Sequence, residues 1–214
     1  MRVRVKICGV TTAEALDAAV QAGAHAIGFV FADSPRAVTV AQASRLAAGL
    51  PPFVASVAVF RRPSRERLAA VLASFPADRV QCDLQDRDRL PAEARERFLP
   101  VLRAGPQLDS QLETLLRANE GGQPAALLEG PHSGVGRTID WDVAARVASR
   151  IRLVLAGGLT AENVAEAIRR GRPHAVDVSS GVESARGRKE PELIRAFVAA
   201  VRRAEASLSG GTLP

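Results

Sequence analysis

Cys8 and Glu129 are the residues of this chain most suggestive of acid–base work. Each closes a short apolar run and is followed by glycine: Val5-Lys6-Ile7-Cys8-Gly9 and Ala125-Ala126-Leu127-Leu128-Glu129-Gly130. A cysteine there is either a buried structural residue or a thiolate base or nucleophile, its pKa lowered by nearby helix N-termini. A carboxyl group there suits a general acid. Arg36, after Ser34-Pro35, reads as a surface charge or as a fork for a carboxylate. Asp177, two residues before Ser179, could orient a substrate hydroxyl or hold a buried Lys or Arg. Cys82 or Asp83, and Arg103, stand at the ends of two further candidate strands.

A second group is small rather than reactive. Leu153 to Ala156 ends in Gly157-Gly158, and Ala175 to Val178 ends in Ser179-Ser180-Gly181. Backbone N–H groups are little shielded there, and a helix start follows each run or lies nearby. That combination is a phosphate cradle. Two cradles in consecutive βα units match the phosphate site after strands seven and eight of a (β/α)8 barrel.

The rest of the chain supplies the elements such a barrel needs. Strands are expected at Val3 to Ile7, Ala26 to Phe31, Phe53 to Phe60, Arg79 to Cys82, Phe98 to Leu102 and Ala125 to Glu129, before the two just described. Helices are expected between them, with Thr11-Thr12, Ser64 and Asp140 as N-caps and Gly23 as a stop. The charged stretch Asp86 to Arg97 reads as a solvated helix, with Pro91 delaying its start. Eight strands alternating with eight helices imply parallel pairing in a single α/β domain. The first strand is not followed by the glycine fingerprint of an open dinucleotide-binding sheet. Residues 1–206 are expected to form the barrel and 207–214 a flexible tail.

The chain has 214 residues, 47% of them hydrophobic, enough for one substantial core. Its net charge of +6 comes from scattered arginines, aromatics are 4%, and tyrosine is absent, which favours anionic small molecules over nucleic acid. His25, His132 and His174 have no metal-ligand spacing, so no metal is assigned. His132 and Ser133 lack a third triad member. Met1 to Lys6 lacks the apolar region of a signal peptide, and no apolar run is long enough for a membrane span. A cytoplasmic protein with reduced thiols is expected, not fused to another enzyme. The sequence does not choose between monomer and homodimer.

Taken together, five motifs resemble the phosphoribosylanthranilate isomerase family of tryptophan biosynthesis. They are Lys6-Ile7-Cys8-Gly9-Val10-Thr11; Gly23 to Phe31; Ser133-Gly134-Val135-Gly136-Arg137-Thr138 before Asp140-Trp141; Leu155-Ala156-Gly157-Gly158-Leu159 with Glu162-Asn163; and Val176 to Glu183. The resemblance implies a (β/α)8 barrel and a cofactor-free Amadori rearrangement of N-(5-phosphoribosyl)anthranilate to 1-(2-carboxyphenylamino)-1-deoxyribulose 5-phosphate. It implies Cys8 as general base, Arg36 near the anthranilate carboxylate, and Gly134, Gly136, Gly157, Gly158, Ser180 and Gly181 around the phosphate. Two positions depart from the family pattern. Glu129 stands where the family has an aspartic acid, and Asp83 stands where it has histidine. An anionic Asp83 beside an anionic substrate is unfavourable unless it turns away or pairs with Arg103. The departures leave two alternatives open: an isomerase for another aminated ribose phosphate, or a non-catalytic binder of a phosphorylated ligand.

Overall fold

The computed structural model describes residues 2–119, 122–131 and 138–209. Eight parallel strands close into a barrel in sequence order: β1 (Arg4–Cys8), β2 (Ala26–Val30), β3 (Ala55–Val59), β4 (Arg79–Asp83), β5 (Phe98–Arg103), β6 (Ala125–Glu129), β7 (Arg152–Leu155) and β8 (Ala175–Val178). The seam is a parallel β1–β8 pairing that sets Lys6 opposite Asp177.

Among the described residues the strands alternate with α1 (Ala13–Ala22), α2 (Val40–Ala47), α3 (Arg65–Ser74), α4 (Leu108–Arg117), α5 (Trp141–Ala148), α6 (Val164–Gly171) and α7 (Pro191–Ser209). The helix starts carry the expected chemistry. The side chains of Thr12, Ser64 and Asp140 accept from Ala15 N, Arg67 N and Asp142 N. Gly23 ends α1 in the left-handed conformation, φ 90°. Residues 207–209, expected in the tail, belong to α7.

The expected fourth helix, Asp86 to Arg97, is replaced. Between β4 and β5 the chain forms two 3-10 helices, Leu84–Arg89 and Ala92–Arg97, on either side of Leu90-Pro91. Proline disfavours α-helical geometry in the residue before it, and Leu90 is extended with ψ 138°. The stretch still buries Leu90 and Ala94 against the barrel. A hairpin was also unforeseen: β9 (Glu183–Ala185) pairs antiparallel with β10 (Arg188–Lys189) after β8.

Side chains alternate along each strand. Val5, Ile7, Ile27, Phe29, Val80, Leu102, Leu128 and Val176 join the large core shared with the helices. The opposite set faces the barrel axis, where Val101, Leu127 and Ala156 form a small apolar plug. Residues two positions beyond the plug in β5 and β6, Arg103 and Glu129, therefore point to the mouth.

Candidate active site

Cys8 lies at the mouth end of β1, 8% exposed, and faces inward with Lys6 two residues earlier. Gly28 of β2 makes room for both. A Cβ there would lie 2.9 Å from Cys8 Sγ and 3.2 Å from Lys6 Nζ. Lys6 Nζ donates to Asp177 Oδ1 at 2.8 Å and also contacts the Cys8 sulfur. Burial opposes the charge on Lys6, but Asp177 and Cys8 beside it together outweigh that and hold the ammonium above its ordinary pKa. Asp177 thus takes the second of its two expected roles, the partner of a buried cation. The lowered thiol pKa expected of Cys8 is corrected. Burial pushes the thiol up, against the pull of Lys6 and Lys189.

Arg36 is buried and lies flat across Gly9, whose φ is 78° and whose missing Cβ would stand 2.7 Å from Arg36 Cδ. Its Nε and Nη2 donate to Glu183 Oε1 and Oε2 at 2.7 and 2.9 Å. The carboxylate fork foreseen for Arg36 therefore exists, but one edge of it is held by the chain itself. A guanidinium has five N–H donors, and among the described residues only the Nε and Nη2 edge is seen donating, to Glu183. Lys189 Nζ completes this knot, donating to Glu183 Oε1 (2.6 Å), Ser179 O (3.0 Å) and Ser179 Oγ (3.2 Å). Ser179 Oγ donates onward to Cys8 O at 3.0 Å. Burial would raise the Glu183 pKa, but Arg36 and Lys189 bring it down to about 2.

The expected cradles adjoin. Gly157 and Gly158 adopt φ 89° and 63°. Asn163 clamps their loop, donating through Nδ2 to Gly158 O and accepting from Thr160 N. Ser180 and Gly181 begin a single 3-10 turn, and a Cβ on Gly181 would come within 1.9 Å of Leu159 O. Only glycine permits the β7 and β8 loops to approach this closely. Gly134 and Gly136 lie outside the described residues.

On the other rim, Arg103 joins both departures from the family pattern. Its Nε and Nη2 donate to Asp83 Oδ1 at 2.8 and 2.5 Å, and its Nη1 donates to Glu129 Oε1 at 2.5 Å. Asp83 thus pairs with the arginine named for it. Cys82, the alternative to Asp83, points the other way into the helix-side core, where burial pushes its thiol up to about 12. A groove of about 1210 Å3 opens beside Asp83 and Arg103, with Arg61, Arg62 and Arg186 on its walls, and continues between β5 and α4. Cys8 and Glu129 are not among its described lining residues; Arg103 is the link from the groove to Glu129.

Lys6, Glu183 and Lys189 were given no role from the sequence. Lys6 could have been found by alternation, since it shares the face of Cys8. Glu183 and Lys189 meet only because the β9–β10 hairpin folds back, and no local pattern announces that. Among the described residues, no group of three or more His, Cys, Asp or Glu could hold a metal ion, and no helix is long and apolar enough to cross a membrane.

Comparison with known proteins identifies the family. The family model of N-(5'-phosphoribosyl)anthranilate (PRA) isomerase matches residues 5–200. An N-(5'-phosphoribosyl)anthranilate isomerase from Pseudomonas fluorescens is 45% identical over 206 residues, covering 94% of this chain and 98% of the relative. One from Listeria monocytogenes is 43% identical over 200 residues, covering 91% and 96%. The crystal structure of the Thermotoga maritima phosphoribosyl anthranilate isomerase superposes with a TM-score of 0.79 at 37% identity, covering 94% of this chain and 100% of that one. A phosphoribosyl anthranilate isomerase solved in complex with reduced 1-(o-carboxyphenylamino)-1-deoxyribulose 5-phosphate gives 0.77 at 36% identity, with 94% and 100% covered. The fold, the paired glycine loops and these matches along nearly the whole length lead to one assignment: the chain belongs to the N-(5'-phosphoribosyl)anthranilate isomerase family.

Proposed function

We propose that this chain converts N-(5-phosphoribosyl)anthranilate to 1-(2-carboxyphenylamino)-1-deoxyribulose 5-phosphate, with Cys8 as general base and Glu129 as general acid. The reading is supported by the position of Cys8, Glu129 and the two glycine loops at the C-terminal ends of barrel strands, in a chain of this family.

The phosphate sits on the N–H groups of the loops at Gly157-Gly158 and Ser180-Gly181, with Gly134 and Gly136 assigned to the same role. The end-on edge of Arg36 meets the anthranilate carboxylate, and Glu183 fixes the angle of approach. Protonated Glu129 gives its proton to the furanose ring oxygen as the C1–O bond breaks and leaves an iminium. The Cys8 thiolate removes the C2 proton, and the electron pair passes to the C1–N unit to give an enolamine. Loss of the proton on the C2 hydroxyl and protonation of C1 yield the ketone. The rearrangement is internal, so no electrons leave the substrate.

Lys6 supports the base. A thiol raised by burial is a stronger base once ionised, and an ammonium held charged by Asp177 compensates the thiolate. We place the protein in the cytoplasm as a monomer or homodimer; sedimentation of the purified chain decides between these states. The test of function is the fluorescence of the anthranilate substrate. Its decay accelerates with enzyme concentration if the reading holds, and matches the buffer rate if it fails. Growth of a tryptophan auxotroph lacking this step separates this substrate from another aminated ribose phosphate. Tight binding of a phosphorylated ligand without turnover would identify a non-catalytic binder.

A further inference from the structure

The two departures from the family pattern share one partner. Asp83 on β4 takes two N–H groups of Arg103 on a single oxygen, and Glu129 on β6 takes a third N–H from the far arm of the same guanidinium. β5, which carries Arg103, lies between β4 and β6, and the register aligns Asp83 with Val101 and Arg103 with Glu129. The three side chains are mostly buried, at 12% exposure for Asp83, 23% for Arg103 and 16% for Glu129. Charges interact strongly at these distances in partly dry surroundings.

The arrangement meets a conflict within the reaction. A general acid must hold a proton at working pH, and an arginine 2.5 Å from a carboxylate favours loss of that proton. An arginine shared between two carboxylates gives less of its charge to each. The longer Glu129 side chain reaches the arm that Asp83 leaves over.

We propose that Asp83 is a positioning residue for Glu129, acting through Arg103: it pins two N–H groups of the guanidinium and withholds part of its charge, leaving Glu129 able to carry the proton. This rests on the reading of Glu129 as general acid. Asp83 and Glu129 are thereby coupled through one guanidinium. Arg186 lines the groove that Arg103 and Pro131 also line. Glu129 and Arg103 have contacts beyond these pairs, and His132 and Arg137 follow in a segment outside the described residues. The flanking β7 strand contributes no charge at its mouth end, Val154-Leu155-Ala156.

The test reads the ionisation of Glu129 directly. Protein labelled with 13C at the glutamate carboxyl carbon is titrated by NMR, and the Glu129 signal is the one missing from Glu129→Gln. Asp83→Asn keeps an acceptor for Arg103 but removes the charge. Its Glu129 midpoint falls by about one pH unit, and kcat near neutral pH falls by about tenfold with KM within about twofold. Arg103→Met moves the midpoint upward by at least as much, and Arg103→Lys moves it less. The opposite signs matter, because a purely structural role predicts weaker activity in both without them. A midpoint that Asp83→Asn leaves in place, or raises, overturns the proposal. Near-normal turnover in Glu129→Gln would instead overturn the general-acid reading, and the NMR titration would still decide what Asp83 does to Glu129.

Discussion

The two sides of the barrel mouth are built on different principles. On the side of β8, β1 and β2, groups are held by backbone approach and by a closed set of buried ion pairs. Lys6 has Asp177, and Glu183 has Arg36, Lys189 and Gly187 N. Four positions there, Gly9, Gly28, Gly181 and Gly187, have no room for a side chain unless a neighbour shifts. On the side of β4 to β6, two mostly buried carboxylates, Asp83 and Glu129, share the guanidinium of Arg103. The buried side-chain atoms lacking a partner among the described residues, Gln81 Oε1 and Asp86 Oδ2, both lie in or beside β4. On the first side, a change at a glycine contact must move backbone and several partners together. The second is held by long side chains that can exchange partners, and both departures from the family pattern fall there.

Four substitutions test this contrast, beginning with the largest effect. Cys8→Ser should lower turnover by at least about a thousandfold while circular dichroism shows an unchanged fold. A near-normal rate would put the base elsewhere. Glu129→Gln, on the opposite side, should cost several hundredfold or so in kcat, within the usual range for a general acid. An unchanged kcat would move the acid to another group, with Asp83 the first candidate.

Gly181→Ala should be worse than a methyl group suggests, because its Cβ overlaps the backbone oxygen of Leu159. We expect a loss of about 1–3 kcal/mol in stability and a KM raised by roughly tenfold as the cradle shifts. Wild-type KM and melting temperature in that variant would show the close approach to be dispensable.

Glu183→Gln should have the smallest effect, read best against pH. The Glu183 pKa is about 2 in the folded chain, against an ordinary glutamate value when unfolded. A depressed folded pKa stabilises the fold above the unfolded value, and that stability is lost as pH falls toward 2. The variant should melt about 4 °C below wild type at pH 7, and the two curves should converge between pH 5 and 2. Parallel curves across that window would show that Glu183 gains nothing from its cations.

Much of this was legible in the residue order. The strand at Ala125–Glu129 falls where its apolar run and terminal glutamate place it. The small-residue loops at Gly157-Gly158 and Ser180-Gly181 were visible because each follows a short apolar run. The charged stretch after β4 misled, since charge pattern resembles a solvated helix while Pro91 enforces two short 3-10 turns. The elevated Cys8 thiol was missed for another reason. Burial depends on what covers the sulfur, and position at a strand end does not reveal that.

The sequence by itself determined the alternation of strand and helix, the glycine loops, and which residues reach the strand ends, because these depend on local periodicity and backbone freedom. Only the tertiary structure decided the charge partners. Lys6 meets Asp177 171 residues away, Arg36 meets Glu183 across 147, and Arg103 meets Asp83 across 20 and Glu129 across 26. Electrostatic pairing depends on distance in space and on exclusion of water, and barrel closure sets both.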